Sequence, residues 1–263
     1  MGIIEKNEIW ATKIQYLNDE NEYKLALRLA KFYLVDLLSK ENSAKDEARL
    51  DELVESLNGI NDINICVCSL SEQGDLLSQW RGYSSSLGGY SIGFSSEKLK
   101  FIAEKEGIKL IKCIYDTKEQ KSLIKNMIDM VLKEEIAEPE LSSKYYDFSE
   151  RCDLFREKLS EISPLIKDAS FAEEAEWRLI TTRSFDELSF RSGRSMLIPF
   201  YKIPLEICMK ELITEIVIGH TPHAELAVKS TEAFLVKNFP PADREDYSCK
   251  FKVNPSSIPF RNW

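Results

Sequence analysis

The chain has 263 residues, 43% of them hydrophobic and 30% charged, with a net charge of −9, an ordinary globular balance that allows one sizeable core. No stretch approaches the ~18 consecutive apolar residues that a bilayer span requires. An acidic chain is also a poor match for broad, non-specific duplex binding, which depends on neutralising many phosphates, although a local basic pocket is still allowed.

The opening Met1-Gly2-Ile3-Ile4-Glu5-Lys6 has no basic start and apolar stretch of a secretory signal. It also lacks the Ser or Thr that myristoylation asks for at the sixth position. The expected location is the cytoplasm. The first part reads as helical: Leu25, Leu29, Phe32 and Leu37 recur at helix spacing, and Leu50, Leu53, Val54 and Leu57 repeat the pattern. Between them, Lys40 to Glu47 is a charged connection. From residue 63 the texture changes to short β-branched runs, with strands expected at Ile63–Leu70, Tyr90–Phe94 and Lys109–Tyr115. Amphipathic helices are expected over Lys118–Glu135 and Phe148–Ile162, then strands over Trp177–Thr182, Met196–Ile203 and Ile213–Ile218. Thr221-Pro222 has the form of a helix start, Thr as N-cap and Pro in the first turn, for a helix running to about Lys237. Tyr247, Cys249, Phe251 and Val253 alternate as a last strand. The pattern predicts an α+β single domain over residues 1–263, with a helical N-terminal part (1–60) and a sheet-containing part (61–263). A mixed or antiparallel central sheet with helical insertions follows from that order.

Six cysteines, at 66, 68, 113, 152, 208 and 249, form no C-x-x-C pair, and most sit in apolar runs. They read as small buried hydrophobes rather than a disulfide or zinc framework. His220 and His223 have H-x-x-H spacing without a third ligand nearby, and read as surface residues.

Three segments carry unusual chemistry. Gln79-Trp80-Arg81-Gly82-Tyr83 joins a guanidinium fork to stacking faces, and Tyr90 follows the Gly88-Gly89 pair; the combination suits a nucleotide or dinucleotide. The plainer alternative makes Trp80 a core anchor and Arg81 a structural ion pair. In Glu173-Glu174-Ala175-Glu176-Trp177-Arg178, a strand would put Glu174 and Glu176 on one face and a helix would put Glu173 and Glu176 there. A strand-borne Glu-x-Glu can support an oxocarbenium-like centre. Pairing of Glu176 with Arg178 or Arg191 is the competing reading. Phe190-Arg191-Ser192-Gly193-Arg194-Ser195 could hold a phosphate or form a simple hairpin turn. Near the start, Asn18 or Asp19 is a natural N-cap with Glu22 in capping-box position, and these three are additional site candidates.

Together the segments resemble a bacterial family known as domain of unknown function 2971. The resemblance rests on Gly2-Ile3-Ile4, Trp10-Ala11-Thr12, Tyr16-Leu17-Asn18-Asp19 through Glu22, Cys68 to Glu72, Asp75 to Tyr83 and Gly89 to Phe94. In the second half it rests on Glu173-x-x-Glu176-Trp177-Arg178, Phe190-Arg191, Ile198-Pro199-Phe200, Val217-Ile218-Gly219 and Ser257-Ile258-Pro259-Phe260-Arg261. The family's opening His-Tyr-Thr-Ser segment has no counterpart in this sequence. That opening segment, and the Glu174-Ala175-Glu176 stretch, are in turn similar to ADP-ribosyltransferase-like domains. The resemblance implies NAD as substrate, no metal, Glu176 (with Glu174) as catalytic carboxylate, and Arg81 or Arg191 on the diphosphate. It further implies Tyr83 or Tyr90 against nicotinamide, with Gln79, Trp80 and Arg178 completing the ligand-binding set. Families of this type look like toxin or phage-defence effectors. Without the front segment, weak or absent NAD turnover is expected. Two other readings stand beside this one: a metal-dependent nuclease or phosphoesterase using Asp19, Glu22, Asp75 and Glu176, and a non-catalytic nucleotide-sensing or protein-interaction module.

Overall fold

The computed structural model describes residues 2–17, 22–58, 63–84, 88–134, 144–205, 209–240 and 251–259. Its framework is a six-stranded, wholly antiparallel sheet built from β1 (Glu8–Lys13), β2 (Ile65–Ser71), β4 (Lys109–Lys112), β5 (Glu176–Thr182), β6 (Ser189–Ser192) and β7 (Leu197–Pro204). The strand order is β4-β5-β2-β1-β7-β6. A second sheet sets β3 (Tyr90–Phe94) antiparallel to β8 (Ile213–Ile218), which pairs in parallel with β9 (Lys252–Pro255). The chain is therefore mixed helix and sheet, as the order of its hydrophobic patterns predicts.

Side-chain alternation explains why the large sheet is apolar on both faces. On β2, Ile65 and Val67 point into one core with Ile180 of β5, whereas Cys66 and Cys68 point into a second core with Leu179. The first core lies under four helices, α2 (Glu22–Leu38), α3 (Ala44–Ser56), α6 (Thr117–Lys133) and α7 (Lys144–Ile162). The second joins the opposite face to α5 (Ser96–Lys105), α8 (Met209–Leu212), β8 and α9 (Ala224–Asn238). A strand buried on both faces reads as a continuous apolar run, which is why Ile63–Leu70 stands out in the sequence.

The N-terminal part is not wholly helical. After the short α1 (Gly2–Lys6), Trp10-Ala11-Thr12 lies within β1, between β2 and β7 in the sheet. Ile9 and Ala11 bury against the second core, so a six-residue alternation decides this stretch while the leucine spacing begins only at Leu25. The α9 start also differs: His223 is the N-cap without a side-chain bond, and Thr221 Oγ1 accepts from the His223 N–H at 3.3 Å. The Arg191–Ser195 segment resolves into a β6–β7 hairpin, closed by Gly193 N–H donating to the Met196 carbonyl at 2.8 Å. Tyr247 and Cys249 lie outside the described residues, and β9 begins at Lys252.

Candidate functional site

Strand register places a set of polar side chains on one face of the large sheet. Ser71 pairs with Glu176, Ser69 with Arg178 and Val67 with Thr12. Thr12 also pairs with Phe200, which pairs with Ser189, two residues before Arg191. Paired residues share a face, so Trp10, Thr12, Ser69, Ser71, Glu176, Arg178 and Arg191 all project from the side that the helices cover farther along. Beyond that cover the face is open and forms the floor of a cleft of about 650 Å³. Trp10, Tyr16 and Phe171 stand around it, each between a third and two-fifths exposed. Gln79 and Tyr83 line it from α4 (Leu77–Tyr83).

At the floor is a buried charge network. Arg178, 1% exposed, donates Nε–H to Glu176 Oε1 at 2.6 Å and an NH1 proton to the Pro164 carbonyl at 2.8 Å. The Lys167 ammonium donates to both Glu176 Oε2 and Glu174 Oε2. The Glu176 N–H donates to the Tyr115 hydroxyl at 3.0 Å. Burial pushes the Glu176 carboxyl up, but the Arg178 charge and hydrogen bonds from Arg178, Lys167 and Ser69 outweigh it and hold the group below its ordinary range. Glu176 is thus an ionised carboxylate 3% exposed.

The local chain makes this arrangement possible. Lys167 is pinned through its backbone: its N–H donates to the Ile114 carbonyl at 3.1 Å, and its own carbonyl accepts from Gln120 Nε2 at 2.7 Å. Asp168 then caps the turn Ala169–Glu174 by accepting from the Ser170 N–H at 2.9 Å. Ala175 closes that turn in the left-handed region (φ 43°, ψ 52°), a conformation that costs a non-glycine residue about 1–2 kcal/mol. The Ser71 hydroxyl donates to the Glu174 carbonyl at 2.8 Å and the Glu72 N–H to the Ala175 carbonyl at 3.3 Å, holding the kink. Glu174 consequently shares Lys167 with Glu176 although it lies in a turn, not on the strand.

A second hollow of about 420 Å³ adjoins the first and shares Ser69, Leu70, Ser71, Gln79 and Tyr83 with it. Trp80 and Tyr90 line only this one. Trp80 is 7% exposed and donates Nε1–H to Asp75 at 2.7 Å, so it serves as a core anchor. Of the sequence candidates, Gln79, Tyr83, Glu174, Glu176 and Arg191 meet in the main cleft. Arg178 lies beneath its floor, and exposed Arg81 lines neither hollow. Asn18 and Asp19 fall outside the described residues, as does the Glu22 side chain. Among the described residues no group of three His, Cys, Asp or Glu side chains has metal-holding geometry.

Arg191 has a buried Nε with no hydrogen-bond partner among the described residues, on the wall of the cleft. Sequence reasoning overlooked Lys167, Phe171 and Ser69. The signal for Lys167 was a single charge ending the apolar run Pro164-Leu165-Ile166.

The model of a family described as Protein of unknown function (DUF2971) matches residues 79–179. Over this stretch the chain is similar to the DUF2971 family. The DUF2971 match opens within α4 and closes within β5, so it takes in Gln79, Tyr83, Lys167, Glu174, Glu176 and Arg178 and leaves Trp10, Tyr16 and Arg191 outside. No curated protein and no solved structure matches the chain.

Proposed function

We propose that the cleft binds NAD and that Glu176 is the catalytic carboxylate of an ADP-ribosyltransferase-like reaction. The observation that carries this reading is an ionised Glu176, fixed by Arg178, Lys167 and Ser69, on the floor of an aromatic-rimmed cleft. In such a reaction the bond from ribose C1′ to the nicotinamide nitrogen breaks and its electron pair leaves with nicotinamide. A fixed negative charge beside C1′ stabilises the oxocarbenium-like centre that develops. A nucleophile, water in the simplest case, then adds at C1′ and releases its proton to solvent. The buried partners suit a permanent anion: they keep Glu176 charged and stationary, which is what electrostatic stabilisation asks of it. The Arg191 Nε, without a hydrogen-bond partner among the described residues, supports an anionic ligand on the wall. Trp10, Tyr16 and Phe171 offer stacking faces for a base. Lys167 fills the space between the two carboxylates, which favours this reading over one that needs a metal ion there.

The test is nicotinamide release from NAD, measured well below the melting temperature and normalised to folded protein. Glu176→Gln is expected to lower kcat by about a hundredfold or more, because one preorganised electrostatic group is removed. Arg191→Gln should chiefly raise KM. Wild-type protein that neither binds NAD nor releases nicotinamide, or a Glu176→Gln variant with full turnover, would end this reading.

A further inference from the structure

The C-terminal Ser257-Ile258-Pro259 motif takes no part in the proposed chemistry, yet with Ser256 it is docked on Asp75, just before α4. Asp75, at the foot of α4, accepts from the Ser256 hydroxyl at 2.5 Å, the Ser257 N–H at 2.8 Å and the Ser257 hydroxyl at 2.9 Å. The same carboxylate accepts the Trp80 indole N–H at 2.7 Å. The strap is itself anchored, since the Ser256 N–H donates to the Ile218 carbonyl at 2.7 Å and the Ile258 N–H to Ser256 Oγ at 3.1 Å. Gly219 packs closely against Trp80: a Cβ there would lie 2.9 Å from its ring.

We propose that Asp75 is a positioning residue that couples the C-terminal Ser256–Ser257 strap to the ligand groove through Trp80. Its geometry fixes α4, and α4 carries Gln79 and Tyr83, which line both the main cleft and the second hollow. The coupling runs both ways by thermodynamic necessity: whatever tightens α4 on a ligand also tightens the strap. The ligand half of this inference rests on the proposed function; the mechanical half does not. Hydrogen bonds to an ionised carboxylate are the strong kind, and burial, which alone would raise the Asp75 pKa, is outweighed by the bonds from Ser256, Trp80 and Ser257.

The experiment is hydrogen exchange on the full chain with and without ADP-ribose. In the Ser256→Ala/Ser257→Ala variant, α4 amides should exchange about tenfold faster or more while β2 and β5 keep their protection. Ser257→Thr, which retains the hydroxyl, should behave as wild type. ADP-ribose should slow exchange at the Ser256 and Ser257 amides in wild type, and its Kd should rise about tenfold in the double alanine variant. Unchanged α4 exchange in that variant, or loss of protection spread equally over β2 and β5, would overturn the strap. If wild type binds no ADP-ribose the proposed function falls, and the strap is still judged by α4 exchange alone.

Discussion

Replacing Glu176 by Gln isolates the energetic meaning of the floor network. The side chain is 4% exposed and sits between Arg178 at 1% and Lys167 at 4%. Gln keeps the volume and an oxygen for Arg178 but removes the charge that balances two buried cations. Breaking a buried pair in this way costs about 3–5 kcal/mol. Lys167 keeps Glu174, and Arg178 keeps the Pro164 carbonyl, so the lower end of that range is the better expectation. Each kcal/mol moves Tm by roughly 2–4 °C for domains slightly smaller than this one, so the drop should be about 6–12 °C. Glu174→Gln is the internal control: its side chain is 16% exposed and it has a single cationic partner, so about 1–2 kcal/mol is expected. Differential scanning calorimetry on both variants decides the matter. A Glu176→Gln melting temperature within a degree of wild type would show that the network contributes nothing and would refute the reasoning.

Acid should act through the same residue. The folded Glu176 pKa lies below its ordinary 4.5, so its stabilisation is complete above that value and drains away as pH falls through the folded value. Glu176→Gln should therefore flatten the acid limb of a Tm-against-pH curve, and a limb that keeps its slope would contradict the assignment. Gly219→Ala pushes a methyl group to 2.9 Å from the Trp80 ring and 3.2 Å from the Gly89 carbonyl, and urea melts should report an overpacking loss of about 1–3 kcal/mol. Burial pushes the Cys68 thiol up to about 12 and the Cys66 thiol up to about 11, so native protein at pH 8 should resist iodoacetamide at both positions; rapid labelling of either would contradict that burial.

Local signals carried the sheet well where burial is two-sided or strictly alternating: β3 and β8 fall on the residues their patterns mark, and β2 and β5 are off by a residue or two. β1 was hidden because its six residues include only two fully buried apolar side chains and lie beside a stronger helical repeat. The cleft was half legible. Glu176 and Arg191 stand out as charges next to strand aromatics, but their meeting depends on register across β5, β2, β1, β7 and β6, which no local spacing encodes. Lys167 was invisible for a different reason: its burial depends on Gln120 and Ile114, dozens of residues away, holding its backbone. Trp80 illustrates the converse case, since the sequence left both ligand stacking and a core anchor open. Its bond to Asp75 and its close packing against Gly219 favour the anchor.

The most direct test of the central claim is a structure of the chain with ADP-ribose bound. Ribose hydroxyls are expected within about 3 Å of the Glu176 carboxylate, hydrogen-bonding distance, with the diphosphate against Arg191 and the adenine stacked among Trp10, Tyr16 and Phe171. ADP-ribose seated away from this cleft, or a cleft that stays empty at saturating ligand, would contradict it.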